Sequence, residues 1–504
     1  MNPITTLARV RLELDGAAFA PENGLLTEVR VQQRLSLPTL CELTFTDAVT
    51  AAMPTGQFAP GQTLTVSVES AFTPLFTGQV TAVERTYHAA NQRETRVRAY
   101  DPLHALRKRQ SVRAHIELTL AGLARALVSD LALAVDAHAD SPLWSFLIQH
   151  RQTDFDLLAD LADRAGVYLA VRENTLHLLT LEGVGDAALP LTLGETLFEA
   201  RFEVNADPAL RTATAAAWNA RRVEAYASTT GAARTGRDVR TSADPAAVQG
   251  TGERAFVGEH AENIEHAAAL AQAELDRQIA REVVFWGVAE GDPRLRPGAQ
   301  VQIDGVESGF AGAYVIAGAT HTINTASSYN VQLTTLPPPR RERSYSASAT
   351  LGTVTAIDGG LGRVRAILNA YQDIETDWMH VLSLGAGAGK GLIIVPDVGD
   401  EVLILLIDSD PAQGVVLGGL FGMNGSIDPG IESGGVRRFT LLTPGGQRVR
   451  LDDAGRTIRV ENSEGSYIEL TPDQVRLHAA ADLTLEAPGK HIIMRGSTID
   501  FQRG

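Results

Sequence analysis

The chain has 504 residues, 44% of them apolar and 21% charged, with a formal net charge of −16. Such a composition supports several domains with cores of their own and excludes long disorder. The negative balance argues against nucleic acid as a partner, because phosphate attracts clustered Lys and Arg, and the lone cysteine, Cys41, excludes a disulfide framework or a cysteine-based zinc cage.

The opening Met1-Asn2-Pro3-Ile4-Thr5-Thr6 has no charged-then-apolar signal pattern. No apolar run reaches the ~18 residues a membrane span needs. Synthesis and assembly in the bacterial cytoplasm are expected.

Residues 1–110 read as a first β-barrel. Strand signals include Val10-Leu12-Leu14, Val29-Val31, Leu64-Val66-Val68, Val80-Val83 and Val97-Ala99, separated by Gly, Pro and Asn. Cys41 lies in the strand-like run Leu40-Cys41-Glu42-Leu43-Thr44-Phe45 and reads as a small buried side chain. Residues 111–188 read as an α/β insert. Leu120, Leu123, Leu127 and Leu131 are spaced for a helix over 118–133, and Thr153 can cap a second helix that Gly166 stops. Two strands follow around Arg172-Glu173-Asn174.

Residues 189–336 read as a second barrel. It is interrupted by the polar stretch 228–253, expected to be a mobile loop, and by a helix over 261–282. Strands are predicted over 283–288, 299–303 and 311–323. Residues 337–350, opening on Pro337-Pro338-Pro339-Arg340-Arg341-Glu342-Arg343, are expected to be an extended, stiff spacer. Residues 351–422 then carry strand signals near Val354, 364–367, 379–382, 392–395, 402–407 and 415–417, as in a small closed barrel of the OB kind.

In the last segment, 423–504, apolar residues fall in pairs two apart: Val449/Leu451, Ile458/Val460, Ile468/Leu470, Val475/Leu477, Leu483/Leu485, Ile492/Met494 and Ile499/Phe501. Each pair marks a strand with one wet face, and the repeat is that of a β-helix or β-prism. One chain with one thin apolar stripe does not offset the entropy of ordering it, and its strand edges stay open. Three chains around a shared axis would bring the stripes together. The alternative is a sandwich whose second sheet comes from the same chain. In the trimer the paired aliphatics are the core, and Pro488, Gly489 and Gly496 set turns.

Residues that suggest chemistry have plainer readings. Leu384-Gly385-Ala386-Gly387-Ala388-Gly389-Lys390-Gly391 misses the phosphate-loop spacing and reads as a hairpin. The OB segment carries many more acids than bases, which argues against single-stranded nucleic acid. Asp156, Asp160 and Asp163 fall on neighbouring turns of one helix with oxygen ligands suited to a hard cation, but the face reads as solvated. His260 and His266 are six apart and do not share a helical face, and His380 reads as a strand residue. His478 or His491 would meet its copies only if it faced a threefold axis; an outer strand face is the plainer reading. No Gly-x-Ser-x-Gly or His-Glu-x-x-His occurs. No catalytic residue, cofactor or metal site is assigned.

Several stretches together resemble one family. They are Gly362-Arg363-Val364-Arg365, Asp377-Trp378, Gly389-Lys390-Gly391, Pro396-Asp397-Val398-Gly399-Asp400-Glu401-Val402, Asp408-Ser409-Asp410-Pro411 and Val415-Val416-Leu417-Gly418-Gly419-Leu420-Phe421. They resemble the OB domain of VgrG proteins and other central spikes of contractile tails, and Thr443-Pro444-Gly445-Gly446 resembles the entry to their trimeric needle. Tyr100-Asp101-Pro102-Leu103, Gln152-Thr153-Asp154-Phe155-Asp156-Leu157-Leu158, Leu295-Arg296-Pro297-Gly298 and Gly312-Ala313-Tyr314-Val315 are similar to motifs of the tail-hub half.

The resemblance implies a mainly β protein: two hub β-barrels with inserted helices, an OB-fold barrel and a C-terminal trimeric needle. It implies a ring of three chains seated on a tail-tube protein and baseplate proteins, and a needle that pierces a membrane when a sheath contracts. A conical, PAAR-like tip protein would sit on the blunt end: Ser497, Thr498, Ile499, Asp500, Phe501, Gln502, Arg503 and Gly504. No lysozyme-sized insertion separates Phe421 from Arg437, and no effector domain is expected after the needle. The expected role is mechanical. The alternatives are a cell-wall or glycan hydrolase carried on a spike, and a trimeric surface-binding adhesin.

Overall fold

The computed structural model describes residues 10–19, 25–48, 57–69, 73–89, 91–185, 187–324, 326, 328–343, 346–422, 425–426 and 428–502. The chain divides into two compact units, residues 1–419 and 420–504.

In the first unit, period-two alternation builds the core. Leu40–Ala48 buries Cys41, Leu43 and Phe45 on one face, and Thr63–Val68 buries Leu64, Val66 and Val68. The two hub β units are joined edge to edge. Leu26–Arg34 pairs with Leu40–Ala48 on one side and with Gly318–Asn324 on the other, placing Val31 opposite both Cys41 and His321. An eleven-stranded sheet therefore runs through both units, and Val31, Phe45, Val97, Val301, Tyr314 and Val331 belong to one continuous core. This removes an exposed edge from each. Cys41 is fully buried, which pushes its thiol pKa up.

The α/β insert packs two helices over a three-stranded sheet. Helix α1, Leu120–Val128, is capped by Thr119 and buries Leu120, Leu123 and Leu127. It ends earlier than its leucine spacing predicts, because the chain turns at 130–132 with Ala132 at φ 52°. Helix α2, Asp154–Ala165, begins where Thr153 accepts the Asp156 N–H at 3.1 Å and stops at left-handed Gly166, φ 68°. Beneath them, Tyr168–Arg172 and Ala134–Ala137 flank Thr175–Leu179, whose Leu176 and Leu178 join the helix core.

Helix α3, Ile264–Glu282, starts at Asn263, and its composition conceals its setting. Glu274, Asp276, Arg277, Gln278 and Glu282 are all buried. Each is paired: Arg277 with Asp163 at 2.6 Å and Glu274 at 2.9 Å, Gln278 with Glu274 at 2.6 Å, Asp276 with Arg234 at 3.0 Å, and Glu282 with Arg211 at 2.5 Å. Pairing is what lets charges lie inside.

The polar stretch 228–253 is a loop over 231–252, as read, but it is held in place rather than loose. Glu224–Thr230 and Glu253–His260 flank it as strands on either side of Thr212–Asn219. Between them, the Arg234 N–H donates to Asp276 at 2.6 Å, Gly236 N–H to Leu181 O at 2.9 Å, and Asp238 exchanges bonds with Ala313. Small residues there allow close approach: a Cβ on Gly312, at φ 148°, would lie 2.1 Å from Asp238 O.

The OB barrel uses Ser348–Asp358, Arg363–Leu368, Ile374–Glu375, His380–Val381, Glu401–Leu406 and Gly414–Leu420 around Val354, Val364, Leu368, Ile404, Leu406 and Val416. The strand expected over 392–395 does not form. Residues 383–400 run as a loop around a Gly387–Lys390 bridge, with Ile393 83% exposed. Without a strand to pair with, Leu392, Ile393 and Ile394 stay exposed, and only Val395 packs against the barrel core. Among the described residues no helix is long and apolar enough to cross a membrane.

The second unit holds a hairpin, Ile431–Glu432 with Gly435–Val436. It also holds a five-stranded antiparallel meander: Arg438–Leu442, Arg448–Asp452, Thr457–Glu461, Tyr467–Leu470 and Val475–His478. Residues 479–502 contain no strand, so Leu483/Leu485, Ile492/Met494 and Ile499/Phe501 are extended pairs without ladder partners in the single chain. Ala487-Pro488-Gly489-Lys490 does turn: Lys490 N–H donates to Ala487 O at 2.9 Å, with Gly489 at φ 68°.

Candidate functional site

The meander's register decides which side chains share a face. Phe439, Leu451, Ile458, Leu470 and Val475 stand opposite one another across the five strands, as do Leu441, Val449, Val460, Ile468 and Leu477. The result is two parallel rows of five apolar side chains on one face. Nine of the ten remain 40–74% exposed, and Val449 is half-buried. An open cleft of about 470 Å³ is lined by Leu441, Val449, Val460, Ile468, Leu477 and Leu483 among others.

The opposite face is polar and carries a network of ion pairs, although Thr440 Oγ1 and Arg450 Nε on it are buried without a hydrogen-bond partner. Arg459 meets Glu461 at 2.7 Å and Glu469 at 3.1 Å, Arg448 meets Glu461 at 3.2 Å, and Arg459 lies over Tyr467 at 4.0 Å. His478 stacks on Tyr467 with centroids 5.0 Å apart, so it belongs to this polar face and not to the apolar stripe. His491 is exposed outside any strand. Leu483, Leu485, Ile492, Met494, Ile499 and Phe501 are all more than half exposed. Of the expected tip contacts, Ser497 to Gln502 are exposed, and Arg503 and Gly504 lie outside the described residues.

In the first unit, the helix face read as solvated is instead a row of anions clasped by the linker. Arg341 meets Asp156 at 2.9 Å, Arg343 meets Asp160 at 2.9 Å and Asp163 at 3.0 Å, and Arg340 pairs with Glu259. The spacer is extended as expected, yet it is strapped to the hub. Three acids one turn apart on α2 supply the negative strip and three arginines in four residues supply the strap. Burial raises the Asp163 pKa, against the pull of Arg277 and Arg343. The nearby polar cavity of about 490 Å³ is bounded by Arg164, Glu259, Arg343 and the OB residues Asp408 and Asp410.

The OB barrel is seated on the same surface through its motif residues. Asp377 pairs with Arg221, which also reaches Ser145 Oγ and lies 3.7 Å from Glu262. His380 Nε2 bonds Arg221 O at 2.9 Å. Arg365 and Arg363 cover Trp378 at 4.6 and 5.9 Å. His266 Nε2 bonds Leu143 O at 3.0 Å, and His260 Nδ1 bonds Trp218 O at 3.1 Å, both packing roles.

One cluster escaped the sequence reading. Asp136 on the edge strand Ala134–Ala137 and His138 just past its end meet His177 on the neighbouring strand. His138 Nε2 lies 2.9 Å from Asp136 Oδ2 and 3.2 Å from His177 Nδ1, and His177 Nδ1 lies 3.4 Å from Asp136 Oδ2. Burial and the nearby Arg172 push the His177 pKa down to about 4. An Asp-x-His spacing at a strand's end was the available signal, but His177 joins it only through parallel pairing.

A family model described as the Alg8 N-terminal domain matches residues 5–325, and one described as the type VI secretion system/phage-baseplate injector OB domain matches residues 350–421. The type VI secretion system spike protein VgrG4b of Pseudomonas aeruginosa is 29% identical over 128 residues, which is 24% of this chain and 14% of that protein's length. Among solved structures, a chain of the half-lidded Francisella PdpA–VgrG complex is 8% identical, with 94% of this chain and 88% of that one covered, at TM-score 0.57. The Escherichia coli c3393 protein, described as a type VI component similar to the T4 tail proteins gp27 and gp5, is 13% identical. It covers 81% of this chain and 99% of its own, at TM-score 0.55. The fold is thus the VgrG-like, β-rich fold with an OB domain.

Proposed function

We propose, from the premise that this chain belongs to the family described by the Alg8 N-terminal domain model, that it is the homotrimeric central spike of a contractile injection machine. The observation that carries this reading is the two-row apolar face of the 438–478 meander. Its polar side carries ion pairs among Arg448, Arg459, Glu461 and Glu469, while its apolar side stays largely exposed among the described residues. Three such faces turned inward would make a dry prism whose stiffness comes from packed aliphatics and cross-strand hydrogen bonds. Leu483, Leu485, Ile492, Met494, Ile499 and Phe501 would gain both burial and ladder partners in that arrangement, continuing the needle to its end.

The hub would sit on a tail-tube protein within a baseplate, and the residues from Ser497 onward would seat a conical tip protein. The needle would meet the target membrane on firing. The role is mechanical and not catalytic, with assembly in the bacterial cytoplasm. The VgrG4b and type VI likenesses support this reading. Electron microscopy of the purified full chain tests it: threefold particles with a ring and an axial rod are expected. A monomeric particle, or a trimer joined only through the hub with splayed tails, would overturn it.

A further inference from the structure

The Asp136–His138–His177 cluster has the dimensions of a metal's ligand shell. Bonds of ~2.0–2.1 Å in tetrahedral zinc sites place adjacent ligand atoms about 3.3 Å apart. The three distances here, 2.9, 3.2 and 3.4 Å, bracket that edge. As a hydrogen-bonded trio the same atoms fit poorly. A proton on His138 Nε2 serves the carboxylate and the second imidazole at once, and the His177 nitrogen still faces Asp136 Oδ2 lone pair to lone pair. One cation between the three atoms satisfies every contact.

The supporting scaffold is rigid. Asp136 and His177 are register partners on adjacent parallel strands, and the His138 N–H donates to Leu178 O at 2.9 Å. The other face of this sheet is core, through Leu176, Leu178 and Leu169. The site face is open: the side chains of Asp136, His138 and His177 are 49%, 34% and 16% exposed. An ion can therefore enter, and water can complete its shell. Arg172 and Arg296 bring positive charge near His177 and weaken the site. Arg172 is turned to Pro297 O, to which it donates at 2.6 Å.

We propose that Asp136, His138 and His177 form a divalent transition-metal site, with zinc the ion that best fits two imidazoles and one carboxylate. Its effect is to clip the edge strand Ala134–Ala137 to Thr175–Leu179, joining residues 39 apart in sequence. The test is calorimetric titration of the chelator-stripped full chain with zinc, alongside Asp136→Asn and His138→Gln. Both changes are at exposed positions and leave the core untouched. The expected result is one more zinc bound per chain in the parent than in either variant, or at least a tenfold weaker affinity in both. Cobalt in place of zinc should give the intense visible absorption of a tetrahedral ion in the parent only. Equal stoichiometry and affinity in all three proteins, or no binding by the parent, would overturn the proposal.

Discussion

Placing a carboxylate in the apolar stripe is the sharpest perturbation of the proposed needle. Ile468 sits in the middle strands, opposite Val460 and Leu477, and is 44% exposed in the single chain. Full burial of an isoleucine is worth ~1.5–3 kcal/mol, so roughly half of that, about 1 kcal/mol per chain, remains to be gained on association. Ile468→Asp forfeits it and adds several kcal/mol per desolvated carboxylate. Three copies brought to one axis repel one another as well. The loss per trimer is on the order of 10 kcal/mol or more, about seven powers of ten in the trimerisation constant. The control is Thr440→Asp, on the polar face directly opposite Arg450. Light scattering at micromolar concentration should report three times the 53.8 kDa chain mass for the parent and the control, and a loss of trimer or a splayed, protease-sensitive tail for Ile468→Asp. If Ile468→Asp assembled like the parent while Thr440→Asp did not, the stripe would face outward and the reasoning would fail.

Other consequences can be checked by unfolding. Arg343→Ala removes a largely buried guanidinium from Asp160 and Asp163 and should destabilise the first unit by roughly 3–5 kcal/mol, whereas Arg341→Ala, at a half-exposed pair, should cost ~1 kcal/mol or less in denaturant titration. His321 is fully buried, with Nδ1 3.0 Å from the Tyr329 hydroxyl, and burial pushes its pKa down to about 4. The unfolded chain takes up this proton first, near pH ~6.5, so the contribution is complete above that pH and is lost as pH falls toward 4, by up to about 3 kcal/mol. His321→Gln should flatten the slope of stability between pH 7 and 5. Gly312→Ala meets both a left-handed backbone and Asp238 O, and should lower the melting temperature by several degrees.

Local signals were legible wherever a short segment contains its own reason. Thr153 and Gly166 bracket α2 as read, because a cap and a left-handed stop involve residues within one turn. The alternation of Val449/Leu451 through Val475/Leu477 yields the strands and their wet face for the same reason. Two of the misreadings needed a distant partner. Residues 228–253 look loose until α3 and Ala313 supply their bonds. Asp156, Asp160 and Asp163 look solvated until arginines some 180 residues later arrive.

What the amino-acid order determined by itself was periodicity, and with it the β-rich class, the ends of α2 and an apolar stripe too thin to enclose itself. Pairing between remote segments belonged to the tertiary structure: the edge joining of Leu26–Arg34 to Gly318–Asn324, the arginine strap, and the meeting of His177 with Asp136 and His138. Backbone preference acts over a few residues, while register and charge pairing depend on which surfaces meet once the chain has collapsed.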